Sequence, residues 1–434
     1  MADAEQGRNP VAGSPDYDAV IVGASLAGSA TSMLLARAGA RVALVEKRAD
    51  PGAFKRICSH FIQSSAIAAI ERLGLLDAML DAGGLRTRPR IWTRWGWIHS
   101  PAGTSVPSGL NLRREVMDPL VRAAAADTPG VELIQGWTAE ELLHEHGRTR
   151  GLVARNPQGE SLRLRAPLVV GADGRDSRVA VLAAVPSRTL PHRRFAYARY
   201  YEGPAPDGAP DASLWMLDPQ WAAAFPTDEG LTTYAAMPTK ERLGEFRRDP
   251  AAALSAFIAD LPEPPPILAS RPASKIFGKL EMPNVMRAPT APGLALVGDA
   301  ALATDPLWGV GCGWAFQSAE WLADSVGAAV GGAESLEQGL ERYRRRHTRA
   351  LKAHAFMIHD YASGRKMNPG ERTLFAGAVR DAGVAEVFEA FGSRNIGPAR
   401  FMAEAMPRAI AANVRHALSG RPRRSTARVG LEHA

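Results

Sequence analysis

The stretch YDAVIVGASLAGSATSMLLARAGARVALVEKR, residues 17–48, decides how the chain begins to fold. From Asp18 to Val22 it is almost entirely apolar, which predicts a short buried strand of a parallel sheet. Apolar residues then recur at helical spacing over residues 26–38, and Gly39 is placed to end that helix. The apolar run RVALVE follows as a second strand. The pattern predicts a strand–turn–helix–strand unit.

The turn inside this unit carries the string GASLAG, residues 23–28, and the second strand ends on Glu46. Gly23 permits a tight turn, Gly28 lets the helix pack close to the strand, and the free amides of the helix N-terminus suit a diphosphate. Glu46 lies at the distance along the chain where a carboxylate accepts hydrogen bonds from an adenosine ribose. Ser25 replaces the middle glycine of the usual GxGxxG pattern, but it keeps the amide and adds a hydroxyl. The unit therefore predicts a dinucleotide site.

Length, charge and cysteine count exclude several classes of protein. A chain of 434 residues suits two or three domains. It contains no run of eighteen apolar residues, so we predict no integral membrane association. Two cysteines exclude a disulfide scaffold and favour a cytoplasmic enzyme. The net charge of +7 is spread over most of the chain, without zinc-ligand spacing or an aromatic–basic signature. We predict neither a metal site nor a nucleic-acid partner.

Two further apolar strands end in glycine–aspartate strings, in APLVVGADGRDSRV (166–179) and in GLALVGDAALATDPLWGVGCG (293–313). Together with GASLAG, the strings GADGRDS (171–177) and GDAALATDPLWGVG (298–311) resemble, in order, three fingerprints of the flavoprotein monooxygenases built like p-hydroxybenzoate hydroxylase. The resemblance implies FAD as the cofactor and NAD(P)H as a reductant that binds transiently.

The resemblance also implies an α/β fold. Its parts are a Rossmann-like FAD-binding domain of the GR2 type, with a parallel sheet and a small antiparallel meander, an α+β substrate domain on a mainly antiparallel sheet, and a C-terminal helical segment. The predicted division is a disordered leader over 1–16, the FAD-binding domain over 17–80, 110–185 and 286–335, the substrate-binding domain over 81–109 and 186–285, and the helical region over 336–434.

By the same resemblance, Asp299 bonds the ribityl chain of FAD, and the loop from Pro306 to Gly313 lies against the isoalloxazine ring, where side chains would collide. A helix from about Trp314 to Val326 then points its positive N-terminus at the ring. Arg114 is expected to reach the diphosphate. The full set of predicted cofactor-binding residues is Gly23, Ser25, Leu26, Ala27, Gly28, Glu46, Lys47, Arg56, Arg114, Ala139, Asp173, Gly174, Asp299, Pro306, Gly309, Val310, Gly311 and Cys312.

The segment FKRICSHFIQSSAIAAIERLGLLDAM, residues 54–79, resembles the geranylgeranyl-reductase branch of this superfamily. The match implies that Arg56 contacts the flavin side and that Cys58 lies near the ring. Cys58 is either a chemical group or a buried small hydrophobic residue, and His60 is either close to the substrate cavity or part of the core. With Trp308, these two residues are the candidates for groups near the flavin, and none has a certain catalytic role.

The predicted substrate domain contains the string Trp221-x-Ala223-x-Phe225-Pro226. Halogenases of the superfamily carry Trp-x-Trp-x-Ile-Pro and the reductase branch carries Tyr-x-Trp-x-Phe-Pro, so alanine replaces the central tryptophan here and is expected to open space over the flavin. The string WTRWGWIHSP, residues 92–101, is either an aromatic wall of the site or core. The predicted pocket residues are Trp92, Trp95, Trp97, Tyr201, Trp221, Ala223, Phe225 and Pro226.

These patterns predict an FAD-dependent monooxygenase. The resemblance implies that NAD(P)H reduces the flavin, that O₂ adds to give a flavin hydroperoxide, and that one oxygen passes to a small apolar aromatic or alkene substrate, as in natural-product tailoring. A separate flavin reductase is left open as a partner. Three alternatives remain: an alkene reductase, favoured by the Cys58 segment; a halogenase, disfavoured by Ala223 and by the lack of the halogenase lysine segment; and a cyclase whose FAD is structural.

Overall fold

The computed structural model describes residues 16–330 and 332–419, so the predicted leader, except Asp16, lies outside the described residues. The described strands are β1 (Ala19–Val22), β2 (Val42–Glu46), β3 (Phe61–Ile62), β4 (Leu85–Thr87), β5 (Pro89–Thr93), β6 (Gly96–Ile98), β7 (Gly109–Asn111), β8 (Val131–Gln135), β9 (Thr138–Glu145), β10 (Arg148–Arg155), β11 (Ser161–Arg165), β12 (Leu168–Gly171), β13 (Ser187–Leu190), β14 (Ala196–Glu202), β15 (Ala212–Met216), β16 (Trp221–Pro226), β17 (Leu231–Met237), β18 (Arg271–Pro272), β19 (Phe277–Lys279), β20 (Asn284–Arg287), β21 (Thr290–Ala291), β22 (Leu294–Leu296) and β23 (Leu302–Ala303).

The described helices are α1 (Leu26–Arg37), α2 (Ile67–Arg72), α3 (Leu76–Asp81), α4 (Arg114–Ala126), α5 (Arg178–Leu182), α6 (Leu243–Arg248), α7 (Pro250–Ala259), α8 (Val310–Val330), α9 (Leu336–Ala362), α10 (Pro369–Arg380), α11 (Ala382–Gly392) and α12 (Pro398–Leu418). None of these helices combines the length and the apolar character that crossing a bilayer requires.

A six-stranded sheet in the order β21-β22-β12-β1-β2-β8 forms the centre of the first half of the chain. All its pairings are parallel except β21 with β22. Strands β1, β2, β12 and β22 are buried throughout, which explains their nearly unbroken apolar runs. Because parallel strands share their direction, the carboxyl ends of β1, β12 and β22 meet at one edge of the sheet.

Helices cover one face of this sheet, and an antiparallel meander covers the other. Helix α8 packs against α1 and α9, and the apolar side chains of these helices share one core with alternate residues of β1 and β2. The meander β9–β10–β11 packs its inward residues, such as Leu142, Leu152 and Leu164, against the opposite residues of the same strands. This arrangement confirms the predicted parallel sheet with a small meander.

A second sheet, in the order β18-β14-β17-β16-β15-β5-β6, has two different neighbours. Because successive residues of a strand point to opposite faces, Ala222 and Ala224 of β16 pack towards α6 and α7, whereas Trp221, Ala223 and Phe225 pack towards α10, α11 and α12. The sheet is antiparallel apart from the β5–β15 pair. The predicted α/β class, with its mainly antiparallel second sheet and its C-terminal helices, is confirmed.

Both ends of helix α8 differ from the sequence prediction. The helix begins at Val310, four residues before the expected Trp314, and ends at Val330, four residues after the expected Val326. A short 3-10 turn over Pro306–Trp308 precedes it, and Gly309 separates the two with a left-handed φ of 60°. The glycine therefore makes the bend, and the helix starts directly after it.

Candidate functional site

Three turns meet where the carboxyl ends of β1, β12 and β22 lie side by side. Gly23 follows β1 with a φ of 102°, and a Cβ atom there would lie 2.6 Å from the carbonyl oxygen of Ala172, just beyond β12. Asp299 follows β22 in a turn that opens with Gly298. The three glycine-containing strings of the sequence therefore converge on one edge of the sheet.

The N-terminus of α1 faces this edge with its amides unclaimed by side chains. Ser25 is the N-cap, but its side chain makes no capping bond, and the first turn carries no acidic residue. A Cβ atom on Gly28 would lie 1.8 Å from the carbonyl oxygen of Gly23, so only glycine allows the helix to sit this close to the turn. Leu26 and Ala27 complete the first turn. The arrangement suits a diphosphate bound by backbone amides.

Ser25 uses its hydroxyl in a buried polar network instead. Arg114 Nη2 donates to Ser25 Oγ at 2.8 Å, and Asp118 accepts from Arg114 at 2.6 and 2.8 Å. The backbone amide of Lys55 also donates to Asp118, at 2.8 Å. Asp118 raises the pKa of Arg114 against the effect of burial, so the guanidinium stays charged.

Lys55 continues the network to the third turn. Its Nζ lies 2.8 Å from Asp299 Oδ2, and this contact raises the pKa of Lys55. Burial would raise the pKa of Asp299, but the charges of Lys55, Arg175 and Arg114 and the hydrogen bond from Lys55 together outweigh it and lower the pKa. We call Ser25, Lys55, Arg114, Asp118 and Asp299 the strand-end cluster.

Lys55 was missed by the sequence analysis, which chose its neighbour Arg56. Arg56 is exposed. No spacing rule distinguishes the two cations, because the choice depends on how the loop before β3 approaches Asp118.

Glu46, at the end of β2, is buried beside the first turn. Its carboxylate accepts from the amide of Ala24 at 2.9 Å and from the amide and Nε of Arg48, both at 3.1 Å. Burial would raise the pKa of Glu46, but these hydrogen bonds outweigh it and lower the pKa. Lys47 is exposed, and the carbonyl of Ala139 accepts from Arg178 at 2.6 Å.

Asp173 and Gly174 follow β12. Asp173 accepts from the Ser177 hydroxyl at 2.5 Å and from the amide of Val179 at 3.0 Å, so it orders the start of α5. Gly174 has a φ of 85°, and apart from its two chain neighbours no described residue has an atom within 4 Å of the position a Cβ would take. This glycine borders open space.

The glycines after Asp299 serve different purposes. Gly309 needs its left-handed φ, and a Cβ there would come within 2.9 Å of the Phe61 ring. Gly311, in the first turn of α8, borders open space: outside its chain neighbours and the backbone of its own helix, the one atom of the described residues within 4 Å of its Cβ position is Asp299 Oδ1, at 3.9 Å. Pro306 begins the preceding turn, which Asp305 caps by accepting from the amide of Leu307 at 2.8 Å.

The two cysteines lie side by side at the same place. Their Sγ atoms are 3.5 Å apart, and Arg114 Nη1 lies 3.8 Å from Cys58 and 3.7 Å from Cys312. A hydrogen bond from the Cys312 thiol, together with the charge of Arg114, lowers the pKa of Cys58 well below its usual range. The same bond raises the pKa of Cys312. This pairing of the two cysteines could not be derived from the sequence.

His60 connects the loop before β3 to the second sheet. Its Nδ1 accepts from the amide of Arg114 at 3.2 Å, so Nε2 carries the proton and donates to Tyr200 Oη at 2.9 Å. Burial lowers the pKa of His60 to about 4, so the ring is neutral at pH 7. Tyr200, which the sequence analysis did not select, is therefore a partner of this site.

A largely apolar cavity lies between the second sheet, α11 and the Leu307–Gly309 turn. It encloses about 710 Å³ of space, its open mouth included. Apart from Pro89 and Ala212, its wall consists of Phe61, Gln63, Ile91, Ile98, His99, Ser100, Leu214, Met216, Phe225, Leu307, Trp308, Gly309, Ala385, Phe388, Glu389 and Gly392. Trp308 and Phe225 are the two sequence-predicted aromatic residues in this wall.

The other predicted pocket residues lie elsewhere. Trp92, Trp97 and Tyr201 pack on the face of the second sheet that α6 and α7 cover. Trp221, Ala223 and Trp95 belong to the core on the cavity side, outside the cavity wall, and the carbonyl of Pro226 accepts from Asn111 at 2.5 Å. Strand alternation decides which face a residue occupies, and the string alone does not reveal it.

The residues at the strand ends fit an FAD molecule. Uncapped helix amides and a buried guanidinium suit its diphosphate, the carboxylates of Glu46 and Asp299 suit sugar hydroxyls, and Gly174 and Gly311 leave space that a side chain would fill.

Comparisons with known proteins agree with this fit. A family model described as an FAD binding domain matches residues 16–197. Kynurenine 3-monooxygenase of Salinispora arenicola is 30% identical to the chain over 76% of it and 77% of the relative. Digeranylgeranylglycerophospholipid reductase of Methanosarcina acetivorans is 26% identical, over 76% of this chain and 80% of the relative.

A solved structure shows the same fold. The structure of p-nitrophenol 4-monooxygenase from Pseudomonas putida superposes with a TM-score of 0.72 at 21% identity, and covers 87% of this chain and 98% of that one. The protein thus belongs to the family of FAD-dependent monooxygenases and related flavin oxidoreductases, and its cofactor is FAD.

Proposed function

We propose that the protein is a monooxygenase that uses O₂ and NAD(P)H to insert one oxygen atom into an apolar aromatic or alkene substrate held in the cavity. The observation that carries the proposal is that one turn borders both the cavity and the expected position of the flavin. The turn Leu307–Gly309 lines the cavity and leads directly into the helix that begins beside Asp299. A substrate in the cavity would lie next to the glycines where we expect the flavin ring.

In this proposal each part of the site holds one part of FAD. The amides of α1 and Arg114 bind the diphosphate, Glu46 binds the adenosine ribose, and Asp299 binds the ribityl chain with Lys55 beside it. The N-terminus of α8 approaches the ring near Gly311 and stabilises negative charge there. Bound FAD supplies the redox chemistry by accepting electrons from NAD(P)H and activating O₂.

The side chains of the protein position the substrate and keep water out of the cavity. Apolar side chains such as Ile91, Met216 and Phe388 exclude water from the cavity and hold the substrate against the turn at Gly309. His60 keeps its proton on Nε2, towards Tyr200, and orders the loop that carries Cys58.

The test is isotope incorporation. The FAD-loaded enzyme is incubated with NADPH, ¹⁸O₂ and a panel of aromatic and alkene compounds, and the products are analysed by mass. We expect one ¹⁸O atom in the product, and faster flavin reduction when a substrate is present. Turnover without O₂, or a product without label, contradicts the proposal.

A matched pair of variants tests where the ring binds. Gly311→Val places a side chain in the open space beside Asp299, where the fold has room for it. We expect the variant to fold and to lose FAD during purification. Gly244→Val, in α6 with nothing within 4 Å of its Cβ, serves as the control and should remain yellow. Full FAD retention by Gly311→Val would contradict the assignment.

A second candidate function is reduction of an alkene, which the position of Cys58, with its Sγ 3.5 Å from that of Cys312, favours. The similarity to the digeranylgeranylglycerophospholipid reductase supports it. In the absence of O₂, chemically reduced enzyme mixed with an isoprenoid alkene would then give a product heavier by two hydrogen atoms, and Cys58→Ser would slow this reaction. An absolute requirement for O₂ rules the candidate out.

A further inference from the structure

One ionisable carboxyl group lies in the wall of the apolar cavity. Helix α11 presents Ala385, Phe388, Glu389 and Gly392 to the cavity, a spacing that places them on one face of a helix. Of the described residues that line the cavity, Glu389 and His99 are the ones that titrate. The side chain of Glu389 is 5% exposed.

Glu389 has a cationic partner but no hydrogen bond to it. Arg88 Nε lies 3.4 Å from Glu389 Oε1, which is an ion-pair distance, yet neither atom forms a hydrogen bond within the described residues. A different nitrogen of Arg88, Nη2, donates to the carbonyl of Val106 at 3.0 Å. Asp211 and Glu386 add negative charge nearby. A buried carboxyl oxygen in this condition is costly unless a ligand supplies a donor.

A second hydrogen-bond acceptor in the cavity wall, Gln63, also lacks a donor among the described residues. Gln63 Nε2 donates to the carbonyls of Trp308 at 2.6 Å and Gly392 at 2.8 Å, which fixes the orientation of the amide and leaves Oε1 without a donor among the described residues. The hydroxyl of Ser100 is also buried without a partner in the described part of the chain, and it can act as donor or acceptor. The unfilled polar positions of the cavity therefore call mainly for donors.

We infer that Glu389 binds the substrate through a hydrogen-bond donor, a hydroxyl or a protonated amine, on an otherwise apolar aromatic body. Aromatic side chains of Phe61, Phe225 and Phe388 contact the body, and the donor selects one of its orientations. The inference rests on the proposed function in that it takes this cavity as the substrate site.

Four compounds with the same naphthalene ring test the inference on the FAD-loaded protein. They are naphthylmethylamine, naphthylmethanol, methylnaphthalene and naphthoate, and binding is measured by calorimetry at pH 8.5. At this pH Glu389 is charged, because burial and the neighbouring carboxylates raise its pKa to about 7. We expect the amine to bind about tenfold more tightly than methylnaphthalene, as a hydrogen bond to a charged group does, and naphthoate to bind most weakly.

Glu389→Gln removes the charge and keeps the shape. We expect the advantage of the amine over methylnaphthalene to fall to about twofold or less, while methylnaphthalene itself binds as before. Glu386→Gln is the matched control, since Glu386 lies one turn earlier on α11 and accepts from Thr104 and Ser105 outside the cavity. This control should keep the full preference for the amine.

Three results would overturn the inference. The first is an unchanged preference in Glu389→Gln, and the second is tighter binding of naphthoate than of the amine by the unaltered protein. In both cases the cavity still binds an aromatic body, so the proposed function stands. The third is no binding of any probe, which removes the cavity as the substrate site and the proposed function with it. Lowering the pH to 5.5 is a variant-free check, since protonating Glu389 should weaken the amine selectively.

Discussion

The strand-end cluster and the cavity adjoin the same stretch, residues 298–311, yet they treat buried polar groups in opposite ways. In the strand-end cluster the charges are matched: Arg114 meets Asp118, and Lys55 meets Asp299. In the cavity, one acceptor atom of Glu389 and one of Gln63 have no hydrogen-bond donor among the described residues. Under the proposed function the difference teaches that paired charges form the scaffold for the cofactor, whereas acceptors without donors are left for a ligand that comes and goes.

Breaking a matched pair should have the largest effect. Asp118→Ala leaves the buried guanidinium of Arg114 without its carboxylate, and we expect a loss of about 3–5 kcal/mol in the free energy of unfolding, with loss of bound FAD. Urea denaturation and the flavin spectrum measure both effects. Asp324→Ala is the control: its pairs with Arg72 and Arg346 are exposed, so each is worth less than about 1 kcal/mol. Equal losses in the two variants would contradict the contrast.

The next largest effect is expected where α1 packs against the turn at Gly23. Gly28→Ala places a Cβ 1.8 Å from the carbonyl oxygen of Gly23, so the helix must move. We expect a loss of about 3 kcal/mol in unfolding free energy and weaker FAD binding. Gly244→Ala, with open space at its Cβ, should instead gain up to about 1 kcal/mol, as alanine does in a helix. If Gly28→Ala left the unfolding free energy and FAD binding unchanged, the close approach of α1 to the turn at Gly23 would not be the reason for glycine at this position.

Glu389 should make the free energy of unfolding depend on pH. Glu389 has a folded-state pKa raised to about 7, so the native state binds its proton more tightly than the unfolded chain does. Its contribution to stability is therefore lost as the pH rises from about 4.5 through 7.

Glu389→Gln should remove this loss. At pH 8 we expect the variant to exceed the unaltered protein by on the order of 1 kcal/mol, after allowing for screening by solvent, and to gain nothing at pH 4.5. Urea denaturation at both pH values measures the difference, with Glu386→Gln as the comparison. A gain that is the same at both pH values would show that Glu389 is not desolvated.

The smallest effect is expected at Cys58 and Cys312, where a substitution changes a hydrogen bond but does not leave a buried charge without an ion-pair partner. Cys312→Ala removes the donor to Cys58 and should raise the pKa of Cys58 with little loss of stability. The thiolate absorbance near 240 nm, titrated against Cys58→Ser as the blank, reports this pKa. If the titration does not move, the hydrogen bond from Cys312 is not what lowers the pKa of Cys58, and the neighbouring charges, Arg114 first, do so.

Much of the scaffold could be predicted because its signals are local. Gly23 and Gly28 stand between a strand and a helix, and the apolar runs of β1 and β2 are continuous because both faces are buried. The match to an FAD binding domain over residues 16–197 confirmed the cofactor that these strings indicated.

The candidate site was less predictable, because it depends on which face a residue takes and on which distant segments meet. Tyr200 and Tyr201 are adjacent in β14, yet Tyr200 bonds His60 whereas Tyr201 packs on the opposite face. Glu389 lies in a helix far along the chain from the glycine strings, and nothing in its local sequence distinguishes it from Glu386. Long-range contacts of this kind leave no spacing to recognise.

Gln63 has a consequence for redesigning this enzyme. A single amide group joins the carbonyl of Trp308, in the turn after Asp305, to the carbonyl of Gly392, at the end of α11. One side chain thus holds the turn and the end of α11 side by side in the cavity wall. Libraries that aim to broaden the range of compounds accepted in the proposed substrate cavity should therefore vary Ala385 and Phe388 while retaining Gln63, because losing these two hydrogen bonds would let the turn and the helix separate as the wall is remodelled.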